Sequence, residues 1–409
     1  MTVGASTEEP VNSQNGTDGA SRPYDLVLYG ATGFVGQLTA RYLAEHAPDD
    51  CRWALAGRSR IKLAQLRDAL AVDHPRCAEL PLVVATADDA EALGELAGST
   101  RVVATTVGPY LRHGEPLVAA CAEAGTDYLD LTGEPEFVDR MFVAHDARAR
   151  ETGARLVPAC GFDSVPTDLG VYFTVQHLPE GVPLSVDGFV RSRARVSGGT
   201  LASVLTVLSR QKQSQRAARE RRLYEPRLVG RRARSPIGGP RFSRETDAWA
   251  LPLPLLDPQI VARSARTLPR YGPDFRYRHY AAVKSLPMAL GAVAGAAALL
   301  GLAQLPPARR WLSERIKPGE GPDEQRRAKS WFSLRFVGEG GGRTVYTEVS
   351  GGDPGYGETA KILAESALCL AFDELPDASG QLTSAVAMGD ALLVRLQRAG
   401  IRFRVAAER

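Results

Sequence analysis

The chain has 409 residues, of which 24% are charged and 44% hydrophobic. This is ordinary globular material, long enough for two or three folding units, and it excludes a peptide, a fibrous repeat or wholesale disorder. Its 50 basic and 47 acidic residues leave a net charge of only +3, far short of the excess a dedicated nucleic-acid binder carries.

In chain order, residues 1–22 are polar, rich in Ser, Thr, Asn and Gly, and lack an apolar run, so a disordered tail is expected and not a signal peptide. Residues 24–29 hold Leu26, Val27 and Leu28, a short apolar run suited to a strand buried on both faces. Gly30-Ala31-Thr32-Gly33-Phe34-Val35-Gly36 follows and leads into a helical stretch at 37–46. The alternation continues through strands at 52–56, 80–84, 101–106, 127–130 and 155–158, with helices at 62–72, 88–96, 116–124 and 137–152 between them. The fold class expected is α/β: a Rossmann-type doubly wound parallel sheet over 23–160, followed by a second α+β domain at 161–355.

In that second domain, 184–195 and 331–349 read as β structure, the latter as a hairpin turning at 338–342. A helix is expected at 198–222, and the prolines at 252, 254, 258, 269 and 273 mark an irregular connection. Closing helices are expected over 356–409, at 358–372 and 384–399. Residues 285–308 carry no charge and approach the length of about 20 that a membrane span needs; a span, a tightly packed core helix and a membrane-touching helix all remain open. Twelve basic residues and two acids lie between Arg210 and Arg244, a local +10 on an otherwise acidic chain. With few aromatics, that run suits a solvated face, an anionic membrane or an acidic carrier better than nucleic acid. Five cysteines without a C-x-x-C pair describe no disulfide framework, and six histidines lack metal-ligand spacing. No metal is expected, and the compartment is taken to be the cytoplasm.

The glycine turn carries the strongest chemical signal. A phosphate-bearing cofactor needs backbone amides it can approach without a Cβ in the way, at the positive end of a helix, and Gly30, Gly33 and Gly36 provide that position. Cofactor choice turns on the end of the second strand, where an acid would bind a ribose 2′-hydroxyl and an arginine a 2′-phosphate. Arg58 stands there with Ser59 beside it, so NADP(H) is expected. Thr106, Val107 and Gly108 lie where the nicotinamide half belongs, which makes Tyr110 and His113 candidate proton donors, although a packed Tyr110 in a Gly-Pro turn fits equally. Asp163 is a candidate substrate-binding or catalytic group, or a helix cap. The one Tyr-x-x-x-Lys pair, Tyr280 and Lys284, falls outside the nucleotide domain and is read as coincidence.

Taken together, DLVLYGATGFVG, WALAGRS, TTVGPY, AGTDYLDLTGE, ACGFDSVPTDLG, VSGGT and TSAVAMGDALLVRL resemble the saccharopine dehydrogenase-like oxidoreductases, and within them the mycobacterial trans-acting enoyl reductases. The resemblance runs from Asp25 to about Leu396. It implies an NADPH-dependent reductase acting with polyketide synthases on lipid intermediates, possessing a carrier-bound acyl substrate, and it implies Gly30, Thr32, Gly33, Phe34, Val35, Gly36 and Arg58 as cofactor contacts. It brings no agreed catalytic residue. The rival readings are a carbonyl or imine oxidoreductase of another substrate and a non-catalytic NADP-binding scaffold at lipid membranes.

Overall fold

The computed structural model describes residues 22–193, 209–304 and 324–408. The first half alternates strand and helix: β1 Tyr24–Tyr29, α1 Phe34–His46, β2 Trp53–Gly57, α2 Arg60–Asp73, β3 Leu82–Val84, α3 Ala90–Gly98, β4 Thr100–Thr105, α4 Tyr110–His113, α5 Glu115–Ala124, β5 Asp127–Leu129, α6 Pro135–Thr152 and β6 Arg155–Val157. The strands pair in parallel in the order β3-β2-β1-β4-β5-β6, with Leu26 of β1 opposite Trp53 on one side and Val102 on the other. The chain therefore changes direction across the sheet between β1 and β4, and the carboxyl ends of those strands open a crevice. Leu26, Val27 and Leu28 are inaccessible to solvent, as a central strand covered by helices on both faces requires.

The second half contains α7 Val165–Gln176, β7 Leu184–Arg193, α8 Gln211–Tyr224, β8 Arg232–Arg234, β9 Arg241–Ser243, β10 Ala248–Pro252, α9 Asp257–Thr267, β11 Asp274–Val283, α10 Leu286–Gln304, α11 Glu324–Arg327, β12 Trp331–Gly340 and β13 Arg343–Gly351. It closes with α12 Gly357–Phe372, β14 Gly380–Gln381, α13 Ser384–Ala387, α14 Gly389–Arg398 and β15 Arg402–Glu408. A mixed sheet runs β15-β13-β12-β7-β11-β10-β9. β12 and β13 form the expected hairpin, turning at Gly341 and Gly342 with φ of +55° and +77°, a pair of left-handed residues that matches strand twist. Helix α7 lies across this sheet, and Gly170 lets it sit close: a Cβ there would come 2.4 Å from the Phe336 ring.

Several expectations are corrected. The closing segment is not purely helical: β14 pairs with β6 as a seventh strand of the first sheet, and β15 pairs with β13 in the second. Helix α12 packs against α1 and β4, so this segment ties the two sheets together. The proline-rich connection holds a strand, a helix and β11, which pairs with β7; alternating side chains of that strand, Phe275 and Tyr277 among them, are buried, an alternation that lies just beyond the last proline of the cluster. Helix α4 was missed because its first amides are capped from afar, by Glu134. Of the tail, residues 1–21 lie outside the description, but Arg22 is anchored, its guanidinium donating to the Thr126 hydroxyl at 2.6 Å. Of the helix expected at 198–222, residues 198–208, with the VSGGT block, lie outside the described residues.

The described side chains of the apolar α10 are mostly outside the core. Met288, Leu290 and Val293 are exposed, and no described helix is long and apolar enough to cross a membrane. The basic segment is also less free than its charge suggests. Arg210 holds Glu136 through two bonds of 2.7 Å, Arg221 holds Asp139 at 2.8 Å, Arg234 holds Asp274 at 2.8 Å, and Arg241 pairs with Asp187. Those cations staple the segment to the protein body.

Candidate functional site

The turn after β1 is built to bring backbone close to backbone. Gly30 sits at φ +85°, and a Cβ there would lie 2.7 Å from Val107 Cγ2 and 2.8 Å from Thr106 Oγ1; both conformation and space demand glycine. Thr106 donates its hydroxyl to the Gly30 carbonyl at 3.0 Å, tying the glycine turn to the end of β4. Gly36 lets α1 start against the strand, since its Cβ would be 2.2 Å from the Gly30 oxygen. Gly33 is exposed and caps α1 without a side-chain bond, and no acid stands in the first turn. The amides of Phe34, Val35 and Gly36 have no backbone acceptor among the described residues, and they lie at the positive end of a 13-residue helix. Ala31, the other residue of the turn expected to contact the cofactor, has a fully buried side chain, and both its amide and that of Gly30 donate to the Ala56 carbonyl. Thr32 is half-buried at the rim, where its carbonyl accepts from Gln37.

Arg58, just past β2, is exposed and has no hydrogen bond or ion pair among the described residues. It lies near the Tyr29 phenol, whose pKa is pushed up to about 12, mainly by burial. An unpartnered guanidinium beside an open helix N-terminus suits the phosphates of NADP(H). Ser59 caps α2 by accepting from the Lys62 amide at 3.4 Å, so its hydroxyl is partly committed to the fold. Val107 is half-buried and Gly108 exposed beyond β4, both on the crevice side of the turn that Thr106 fixes.

Tyr110 is not positioned as a proton donor. Its hydroxyl donates to the Thr105 carbonyl at 3.1 Å and accepts from the Leu131 amide at 3.1 Å, and the ring is buried against Phe137. Burial pushes the phenol well above its ordinary value. The residue joins the ends of β4 and β5, which is the packing alternative its Gly-Pro context allowed. His113 is exposed, near Asp88.

Asp163 is different. Water reaches it, yet protein walls the cleft around it: its Oδ2 lies 3.6 Å from where a Gly133 Cβ would stand, and Asp257 faces it with like charge. Poor solvation, with that repulsion added, raises its carboxyl to about 6. No hydrogen-bond partner holds it among the described residues. Asp257, buried at the start of α9 and bonded to Thr167, is raised to about 7 by burial. Asp168 is buried differently, accepting from Ser264, from Ser384 at 2.9 Å and from the Ala385 amide at 2.8 Å; it is a structural knot. Asp257 escaped sequence reading, although a lone acid in the apolar run LPLPLLDP was a visible signal. Two aromatic contacts also escaped it: Phe34 packs edge-on against Tyr356 at 4.8 Å, and Phe162, beside Asp163, does the same with Phe332 at 4.8 Å.

With this geometry in view, residues 26–157 match the family described as saccharopine dehydrogenase NADP binding domain. Trans-acting enoyl reductases of Mycobacterium bovis and Mycobacterium ulcerans are 40% and 38% identical to the chain over 417 residues, covering 93% of it and 97% of each relative. The apo saccharopine dehydrogenase (L-Glu forming) of Saccharomyces cerevisiae has a TM-score of 0.54 at 12% identity, covering 94% of this chain and all of that one, which shows a shared fold.

Proposed function

Since the chain belongs to the family of trans-acting enoyl reductases and is an NADP-dependent oxidoreductase, we propose that it reduces the carbon–carbon double bond of an enoyl thioester of the lipid or polyketide type. The observation that supports this most is that an open phosphate-binding turn after β1 and an unpartnered carboxyl after β6, raised to about 6, stand beyond the carboxyl ends of strands of the same parallel sheet. In this reading the amides of Phe34, Val35 and Gly36 bind the pyrophosphate, Arg58 pairs with the 2′-phosphate, and Thr106, Val107 and Gly108 border the ring. Bound NADPH supplies the hydride. The β-carbon of the thioester accepts it, the π pair moves toward the carbonyl, and the α-carbon takes a proton from Asp163, which solvent then reprotonates. The like charge of the nearby Asp257 disfavours a second negative charge in the cleft and so favours the protonated, donating form of Asp163.

The enzyme acts in trans on substrate presented by a polyketide synthase or acyl carrier protein. Peripheral contact with the inner face of the cell membrane belongs to the same proposal. The exposed apolar face of α10 and the cations Lys212, Arg216 and Arg219, which make no ion pair among the described residues, favour an anionic lipid surface. Turnover of NADPH against a panel of enoyl, keto and imine substrates tests the assignment: reduction of imines or ketones alone overturns it.

A further inference from the structure

We propose that a cavity on the open face of the second sheet receives the phosphate end of the pantetheine arm that carries the enoyl thioester; the proposal rests on the enoyl-reductase reading and names how its substrate is held. The cavity measures about 500 Å³. Strand alternation creates it. Leu334, Phe336 and Val349 turn inward to the buried core, so their neighbours Arg335, Glu348 and Ser350 turn to the other face.

The charge in this cavity is out of balance. Arg191, Lys284, Arg335 and Arg402 line it, and Glu348 is the sole acid among its lining residues. Glu348 is already bound, accepting from Arg404 at 2.6 Å and Ser333 at 2.9 Å, with Arg335 at 3.8 Å. Arg191, Lys284 and Arg402 have no acidic partner among the described residues. Clustered cations repel, and an incoming anion with several acceptor oxygens relieves that repulsion. Arg191 lies over the Trp331 ring at 5.6 Å, which orients its donors. The Thr246 hydroxyl, shielded from solvent, has no hydrogen-bond partner among the described residues and adds a polar group to the same wall.

Two chains of contact lead from this cavity to the crevice. Phe332 lines it and packs on Phe162, next to Asp163. Gly352 also lines it and donates its amide to Glu358 at 3.0 Å, at the start of α12, just after the Tyr356 that packs on Phe34. An occupant that is anionic at one end, amide-rich and partly apolar along its length, and reactive at the other end fits a cationic, aromatic-walled cavity whose end at Phe332 and Gly352 is joined by those contacts to the elements around Asp163 and Phe34. A phosphopantetheine thioester has those features. Lys284 gains this role without Tyr280, whose hydroxyl is buried and has no hydrogen-bond partner among the described residues.

The test compares wild type with Arg402→Glu and Lys284→Glu. The substrates are an enoyl thioester on coenzyme A, on an acyl carrier protein, and on N-acetylcysteamine, which lacks the phosphate. The KM for both phosphate-bearing substrates is expected to rise at least about tenfold relative to the N-acetylcysteamine thioester, the loss of one charge-assisted contact. An equal rise for all three substrates, or no rise, overturns the proposal. A rise confined to the carrier protein also overturns it, since the cations would then read the carrier's surface. Titration of 4′-phosphopantetheine against unphosphorylated pantetheine into NADP-loaded protein stands apart from turnover. Preferential binding that both variants abolish supports the cavity even where no enoyl substrate is reduced, and equal binding of the two compounds refutes it.

Discussion

Arg58→Ala separates a cofactor-reading arginine from a structural one. Arg58 is exposed and makes no hydrogen bond or ion pair among the described residues, so its removal breaks nothing in the fold. Stability is expected to stay within about 0.5 kcal/mol of wild type, as for surface positions generally. A charge-assisted bond to a phosphate contributes about 1.5–3 kcal/mol, which corresponds to a rise of about tenfold to 150-fold in the Kd for NADPH. NADH has a hydroxyl where that phosphate stands, so its Kd should barely change, and the preference for NADPH should collapse by the same factor. Fluorescence titration with each cofactor, alongside a denaturant melt, gives both quantities. Equal weakening of NADPH and NADH, or a large loss of stability with neither selectively affected, would show that Arg58 does not read the 2′-phosphate.

Asp163→Asn should lower kcat by at least about a hundredfold, the usual contribution of a general acid. In wild type the rate should fall as pH rises through about 6, where the carboxyl loses its proton; a variant that keeps both the rate and that limb would clear Asp163 of the role. Asp257→Asn should stabilise the protein at pH 8 relative to pH 5. The wild-type carboxyl is raised to about 7 in the fold, so its stabilising contribution is present at low pH and lost as pH rises through that value, on the order of a few kcal/mol; paired melts check this. Tyr110→Phe leaves the part-buried Leu131 amide without its acceptor and should cost about 1 kcal/mol of stability, with kcat nearly unchanged at saturating NADPH. If exposed cations on α8 and the face of α10 attach the protein to an anionic membrane as proposed, membrane fractions should release it in high salt; recovery wholly in the soluble fraction at low salt refutes that contact.

The nucleotide half was legible because its determinants are local. Leu26 to Leu28 form an apolar run, glycines stand at fixed offsets after it, and Arg58 closes the next strand. The rest depends on contacts distant in sequence. Tyr110 looked like an acid because its neighbours in the chain do not include Leu131, whose amide occupies its hydroxyl. Helix α4 exists because Glu134, 24 residues beyond Tyr110, caps it. The basic run looked free because Glu136, Asp139 and Asp187, the acids that bind it, precede it in distant elements. β14 and β15 are too short or too charged to announce their sheets, and only pairing with β6 and β13 makes them strands.

The central claim is that hydride passes from NADPH to the β-carbon of an enoyl thioester. It is tested most directly by turnover with NADPH deuterated at the transferred position, followed by mass spectrometry of the acyl product. The account predicts one deuterium at the β-carbon of a saturated thioester, with a solvent-derived hydrogen at the α-carbon. Deuterium on a carbinol or amine carbon, or no NADPH consumption with any enoyl thioester, would contradict it.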